Sequence, residues 1–318
     1  MSSSVTRPLD IFRALGDATR LRIVQLVRRM ELSVGELAQV LGQSQPRVSR
    51  HVKILCDADL LARRKEGSWV FATLGHADAV GPVAAALDGW GADDHWAVAD
   101  AARLQAVRAD RAAAAAAWFE AHAGEWDAIR SLHVAEEQVE AAMAAVLGDQ
   151  PIGTLVDIGT GTGRMLELFG ARADHAVGID RSSEMLRLAR AKLGGQAELR
   201  QADLYALPLA DGAADVAVLH HVLHFAEDPA AAIAEAARVL DAGGRLLIAD
   251  FAPHEREELR ARDAHVRLGF ADEQMRAWFA GAGLQLARVE TLEGGELTVK
   301  LWLGRRVAAQ GLQEVRAA

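Results

Sequence analysis

Three glycines stand at alternate positions, Gly159, Gly161 and Gly163, behind an apolar run that ends in Asp157: LVDIGTGTGR, residues 155–164. A glycine-rich turn after a strand lets backbone come close to a nucleotide. A turn built for a dinucleotide's pyrophosphate reads G-x-G-x-x-G. Here the spacing is G-x-G-x-G, and the place of that last glycine is held by Arg164. Two more carboxylates follow at comparable points, Asp180 in VGIDRSS and Asp203 in RQADLYALP.

Three acids at three successive strand ends suit a ligand with no pyrophosphate. S-adenosylmethionine (SAM) has an amino-acid end, a ribose diol and an adenine. Asp180 can accept from both ribose hydroxyls, as an acid does in nicotinamide sites. Asp203 can accept from the adenine amino group. Asp157 can hold the loop or meet the methionyl ammonium, directly or through water. The expected cofactor set is Asp157, Gly159, Thr160, Gly161, Gly163, Asp180, Arg181, Ala202, Asp203, Leu204 and His220, with S-adenosylhomocysteine (SAH) as product. Each acid taken alone also fits a helix cap or a solvated strand end, and Ser182–Ser183 could make Asp180 a neighbour of a cap.

After the fourth strand comes LHHVLHFAEDP, with the candidate catalytic histidines His220, His221 and His224. A histidine can deprotonate a methyl acceptor near neutral pH. Capping of the strand end, or packing against the cofactor, is the plainer reading of any one of them. His220 and His224 are four apart, so a helical segment would turn His221 away from both. No third ligand stands out beside His220 and His224, so no metal is expected. Tyr205 can line the pocket. His254, His265 and Arg267 lie in APHEREELRARDAHVRLGF, where an insertion can cover the acceptor.

A second group of residues suits phosphate and base edges. VGELAQVLGQSQPRVSRHVKIL reads as a helix Val34–Leu41, a turn at Gly42–Gln43 and a second helix capped by Ser44, with Pro46 in its first turn. That is helix-turn-helix spacing. Ser44, Gln45, Arg47, Ser49, Arg50 and His51 lie toward the N-terminus of the second helix, where such a helix enters the major groove. Val48, Val52 and Leu55 should face the core. Two short strands about a turn at Glu66–Gly67 then form a wing carrying Arg63, Arg64 and Lys65.

The elements that must position these residues follow from periodicity. Leu9, Phe12, Leu15, Leu21, Val24 and Val27 recur at helical spacing, with GDATR as a stop and restart and Asp17 as N-cap. Residues 77–147 are alanine-rich and helical by pattern, with Asp93 and Asp94 as N-caps and six alanines at 112–117. They read as a spacer, or as a dimer helix running into a cap whose Trp118, Phe119 and Trp126 cover a ligand. From residue 153 apolar strands alternate with helices, which predicts an α/β fold with a mostly parallel sheet covered on both faces.

The chain has 318 residues, long enough for two domains. Its net charge is −9, yet residues 1–75 carry 12 Lys and Arg against 7 Asp and Glu. A basic end on an acidic body is expected where one end alone meets phosphate. The one cysteine, Cys56, excludes an intrachain disulfide and a four-cysteine zinc site. No apolar stretch is long enough to span a membrane, and MSSSVTRPLD has no apolar signal core. A cytoplasmic protein is expected.

From ALGDATRLRIVQLV through SQPRVSRHVKIL to the wing, the chain resembles the winged-helix repressors of the ArsR/SmtB family. The resemblance implies a homodimer on double-stranded, palindromic operator DNA. Many metal sensors of that family carry a Cys-x-Cys pair in a box like ELCVCDL. This chain reads ELSVGEL, with Ser33 and Gly35 at those positions, so metal sensing through that box is lost. VDIGTGTG, GIDRSSEML, ADLYALPLADGAADV and RVLDAGGRLLIADF resemble class I SAM-dependent methyltransferases, nearest the ubiquinone and menaquinone C-methyltransferase type. This second resemblance implies a Rossmann-like, mostly parallel seven-stranded sheet with LTVKLWLG as the terminal antiparallel strand. It also puts the loop glycines, Asp180 and Asp203 on the cofactor.

The expected order is a winged helix-turn-helix at 8–76, a helical linker, dimerisation and cap segment at 77–147, and a methyltransferase domain at 148–306. Three functions fit. A repressor senses SAM or SAH; an enzyme methylates a small-molecule acceptor and regulates its own operon; or DNA itself is methylated. The third is weakest. Amino-DNA methylases carry [DNS]PP[YFW] where this chain has LHHVLHF.

Overall fold

The computed structural model describes residues 6–66, 69–89, 96–107, 109, 136–150, 152–293 and 295–307. The chain divides into two units, Met1–Ala113 and Ala114–Ala318, a division that falls inside the alanine-rich stretch. The readings made for Gly67, Asp93, Asp94, the alanines at 112–117, Trp118, Phe119 and Trp126 lie outside the described residues.

The first unit runs α1 (Thr6–Leu15), α2 (Ala18–Val27), β1 (Leu32–Ser33), α3 (Val34–Leu41), α4 (Gln45–Asp57), β2 (Leu61–Glu66), β3 (Trp69–Leu74), α5 (Ala77–Gly89) and a helix at 96–107, α6. Asp17 starts α2 by accepting the Arg20 N–H at 3.1 Å. Ser33 and Glu36 form a capping box that fixes the start of α3: the Ser33 hydroxyl accepts the Glu36 N–H, and the Glu36 carboxylate accepts the Ser33 N–H. Gly42, at φ 64°, ends α3 in the left-handed region, and α4 starts three residues later. Ser44 stands at the N-cap of α4 without a side-chain cap bond. Val48, Val52 and Leu55 are buried in the core of this unit, as their spacing predicts. Leu104 and Val107 of α6 join the same core, and Arg22 grips Asp100 with two bonds of 2.7 and 2.6 Å.

One apolar pattern is only partly realised. Val24 and Val27 are buried, but Leu9 is 47% and Phe12 70% exposed. The break between Leu15 and Ala18 resets the helical phase, so residues on α1 and α2 do not share a single face. Strand β3 lies between β1 and β2 in an antiparallel sheet, giving the wing.

The second unit opens with α7 (Glu136–Leu147) and continues β4 (Ile152–Ile158), α8 (Arg164–Phe169), β5 (Ala173–Asp180), α9 (Ser183–Leu193), β6 (Glu198–Gln201), β7 (Ala214–His220), α10 (Pro229–Val239), β8 (Leu240–Phe251), α11 (Glu258–Arg262), α12 (Asp272–Gly281), β9 (Leu284–Leu292) and β10 (Val299–Arg306). The seven strands lie in the order β6-β5-β4-β7-β8-β10-β9. The first five pair in parallel; β10 is antiparallel to both β8 and β9. Strand alternation sends Val156 and Ile158 to one face, with Ile233 of α10 and Phe279 of α12. Leu155, Val216 and Val218 go to the other, with Met143 of α7, Met165 of α8 and Leu193 of α9. Both faces are therefore covered, and the loops after β4, β5, β6 and β7 gather at the carboxyl end of the sheet, where ligands bind in such folds. Among the described residues, no helix is long and apolar enough to cross a membrane.

Candidate functional site

All three loop glycines adopt positive φ: 74° at Gly159, 53° at Gly161 and 85° at Gly163. Residues with side chains rarely hold that conformation, and a sequence of three needs glycine. Space is as restrictive as conformation. A Cβ on Gly159 would stand 2.5 Å from Val222 Cγ2, and one on Gly163 would stand 2.8 Å from Leu193 Cδ1. The loop is thus pressed against both α9 and the segment after β7.

The acids divide the work. Asp157 is buried, and its Oδ2 accepts the Thr160 hydroxyl at 2.6 Å. It holds the loop, one of the two roles its position suggested. Asp180 ends β5. Its Oδ2 accepts the Gly161 N–H and its Oδ1 the Ser182 N–H, each at 2.8 Å. Burial pushes this carboxyl up, and N–H groups of Ser182, Gly161 and Arg181 oppose the rise. With three N–H donors on about four lone-pair positions, the carboxylate keeps room for a ligand hydroxyl. Asp203 is exposed, and its Oδ1 accepts the Tyr205 N–H at 3.0 Å. The Tyr205 hydroxyl accepts the Asp228 N–H at 2.9 Å, so the ring bridges the β6 and β7 loops. Ala202 and Leu204 are half-buried beside it, and Arg181 is exposed.

Two residues with no sequence signal complete this side. Arg164 of α8 grips Glu140 of α7 with two bonds of 2.5 and 2.7 Å, and also bonds Glu167. Glu136, one turn earlier on α7, places Oε1 3.6 Å from His220 Nε2. Helix α7 is thereby fastened to the loop helix and reaches the end of β7.

The histidines differ from the helical reading. Helical geometry is confined to a single 3-10 turn at Leu223–Phe225, so His220 to His224 do not share a helix. His220 closes β7; His221 follows at φ 54°. Its ring therefore does not turn away: its centroid is 4.6 Å from His220 and 6.2 Å from His224. His224 Nδ1 is 2.8 Å from Asp250 Oδ1 at the end of β8. Asp250 is fully buried and also accepts the N–H groups of His224 and Phe251. Burial drives its carboxyl up to about 6. The insertion after β8 folds onto this group: Val266 and Arg267 donate their N–H groups to the His224 carbonyl, and the His265 ring stands 4.2 Å from that of His224. Arg267 is buried, with its guanidinium on the Glu227 carbonyl. A convergence of long-range contacts through Asp250 left no periodic trace in the sequence.

In the first unit, Ser44, Gln45, Arg47 and Arg50 are exposed at the start of α4, and Arg63 and Lys65 are exposed on the wing. The Arg63 guanidinium donates to the Ser49 carbonyl, tying wing to helix. Arg64 turns inward, 2.8 Å from Glu31 and over the Phe71 ring. Ser49 and His51 are half-buried, and His51 Nδ1 lies 3.8 Å from Asp17. Burial lowers the His51 pKa, against the pull of Asp17. Cys56 lies in α4, half-buried, and burial pushes its thiol up.

Fold and geometry define a winged helix-turn-helix unit carried on one chain with a methyltransferase-type sheet. Residues 17–63 match the family model of bacterial regulatory proteins of the arsR family, and residues 156–248 match that of a methyltransferase domain. The arsenic resistance transcriptional regulator ArsR1 of Pseudomonas putida is 40% identical over 106 residues, 33% of this chain and 81% of that protein. The chain belongs to the arsR family of DNA-binding transcription regulators and carries a methyltransferase domain. The demethylmenaquinone methyltransferase of Thermus thermophilus is 36% identical over 104 residues, 31% of this chain and 47% of that protein. Several curated relatives are matched over only about half of their length. A chain from the Haloferax volcanii complex of the Trm112 methyltransferase activator and a methyltransferase superimposes with a TM-score of 0.51 at 21% identity. The superposition covers 60% of this chain and 98% of that one, a likeness of fold.

Proposed function

We propose that the chain binds operator DNA through α4 and the wing, as a cytoplasmic homodimer, and that its second unit binds SAM and methylates a small molecule. The boundaries at 8–76, 77–147 and 148–306 belong to this reading. The observation that carries it is the Asp180 carboxylate, which bridges the glycine loop and the start of α9 while retaining acceptor capacity for a ribose hydroxyl. The glycine loop suits the group, because glycines at positive φ, pressed against Val222 and Leu193, let the backbone itself approach a ligand. The loop glycines, Thr160, Asp180, Arg181, Ala202, Asp203, Leu204 and His220 would hold SAM, with Asp157 behind the loop. When bound, SAM supplies a methyl group on a positively charged sulfur. The chain's own part is alignment and exclusion of water. His220, His221 and His224 stand on the acceptor side, under the insertion that carries His265 and Arg267.

A sensing role has its own support. Glu140 and Glu136 tie α7, the last helix of the linker segment, to the loop helix and to His220. Ligand at the loop can therefore bias the position of α7. Coupling of this kind requires a ligand that binds the two DNA-affinity states differently.

The test is operator binding by the full chain at fixed salt, without ligand, with SAM and with SAH. A shift of about tenfold, ~1.4 kcal/mol, supports sensing. No shift leaves the second unit as an enzyme working independently of DNA. Absence of SAM and SAH binding by calorimetry would refute the cofactor assignment outright.

A further inference from the structure

We propose that His221, His224 and Asp250 form a binding site for one divalent transition-metal ion. One ligand atom from each lies within 4.8 Å of the other two, and all three residues are buried. Two imidazoles and one carboxylate make a donor set for Zn2+, Fe2+ or Co2+ rather than for Mg2+ or Ca2+, which prefer oxygen alone.

The fold assembles the set from two neighbouring strands. β7 and β8 pair in parallel with His220 opposite Ala249, so His221 and Asp250 follow in step at the strand ends. The His221 N–H donates to the Ala249 carbonyl at 2.9 Å. Its positive φ of 54° is a conformation that residues with side chains rarely adopt. The turn brings the His221 ring over Phe251, centroids 4.8 Å apart, on the side where His224 lies.

The shortest of the separations fits a shared ion, and His221 lies close enough to swing onto it. His224 Nδ1 and Asp250 Oδ1 are 2.8 Å apart. Donors at about 2.0–2.1 Å from a metal and about 90° apart stand roughly 2.9 Å from each other. An ion would replace the proton between these two atoms, as metals do on deprotonated ligands. The donors are also held in place from behind. Asp250 accepts two backbone N–H groups, and the His224 carbonyl accepts two from the insertion. Such supports fix ligand orientation in metal sites. The His265 ring packs beside His224, centroids 4.2 Å apart, and helps wall the site. Three protein ligands leave positions for water or for an oxygen of a small molecule.

This site is distinct from the metal-sensing box of the first unit, where Ser33 and Gly35 replace thiolates. Ion binding does not depend on the methyl-transfer reading. The test uses the full-length protein. Co2+ is titrated in and followed by its visible absorption, then displaced by Zn2+. One ion per chain is expected. X-ray absorption at the zinc edge should show imidazole nitrogens and oxygen at about 2.0–2.2 Å. His221→Ala and Asp250→Asn should each weaken binding at least about tenfold, with circular dichroism as the check of fold. Wild-type protein that takes up no Co2+, or zinc without imidazole neighbours, overturns the proposal whether or not the variants fold. Unchanged affinity in folded His221→Ala overturns it as well. Metal binding in a protein that ignores SAH would leave this site standing and remove the cofactor reading.

Discussion

Asp180→Asn is the sharpest perturbation of the proposed cofactor site. The change keeps shape and removes charge. Both carboxylate oxygens now accept, one from Gly161 and one from Ser182, each at 2.8 Å. An amide has one acceptor oxygen, so one of those N–H groups would face an NH2. An unsatisfied donor costs about 1–3 kcal/mol. A ribose diol would also lose a charged acceptor, and hydrogen bonds to charged groups contribute about 1.5–3 kcal/mol. Part of the first cost falls on the protein without ligand, through a looser loop. The net loss in SAH affinity should be about 2–4 kcal/mol, a factor of roughly 30 to 1,000. Calorimetric titration with SAH measures it, and circular dichroism checks the fold. Ligand-free operator affinity should stay within about threefold of wild type, because α4 and the wing are in the other unit. A folded variant that binds SAH as wild type does would refute the ribose role of Asp180. Loss of DNA binding alongside would refute the division of labour between the units.

Arg47→Ala and Arg50→Ala should each weaken operator binding and lower its salt dependence by about one unit if the lost contact is to phosphate, with SAH affinity unchanged; fluorescence anisotropy across a salt series reads both. Gly159→Ala forces a Cβ at φ 74° to within 2.5 Å of Val222 Cγ2. The second unit should lose about 2–4 kcal/mol in urea unfolding, and adding Val222→Ala should recover part of it. The Arg238 guanidinium holds Glu235 below the usual carboxylate range, opposed by burial, while Glu235 also accepts the Leu207 N–H at 2.7 Å. A lowered folded-state pKa gives stability that is present above the ordinary glutamate value of about 4.3 and is lost as pH falls below it. Glu235→Gln should therefore cost about 1–2 kcal/mol at neutral pH and flatten the acid limb of the stability curve. A parallel loss at both ends of that curve would count against the linkage.

The sequence carried local information well. Periodicity placed α3, α4 and the wing, because each is set by caps, a turn glycine and two-residue alternation within a few positions. Strand and helix alternation gave the parallel sheet for the same reason. What it could not carry was the meeting of distant residues. Asp250 lay unnoticed inside GRLLIADF, since nothing in a strand's own pattern says that its last acid meets a histidine from the turn after the strand beside it. Arg64 looked like one more wing cation, and only the fold turns it onto Glu31 and Phe71. The spacing of His220 and His224 would have turned His221 away on a helix, and the strand end and the left-handed residue at His221 replace that geometry. Glu136 and Glu140 were hidden in an acidic helical stretch whose charges read equally well as a solvated face.

The placement of β10 has a consequence for the order in which the protein is made. Among the described residues, strand β9 pairs only with β10, which inserts between it and β8. Arg306, at the end of β10, then reaches back to the carbonyls of Ala237, Arg238 and Leu240. During synthesis the DNA-binding unit can complete its core from residues 14–107, while the second sheet waits for its last strand to leave the ribosome. Until then the edge of β8 is an unpaired template. A truncation before Val299 should thus yield a folded first unit attached to an aggregation-prone sheet.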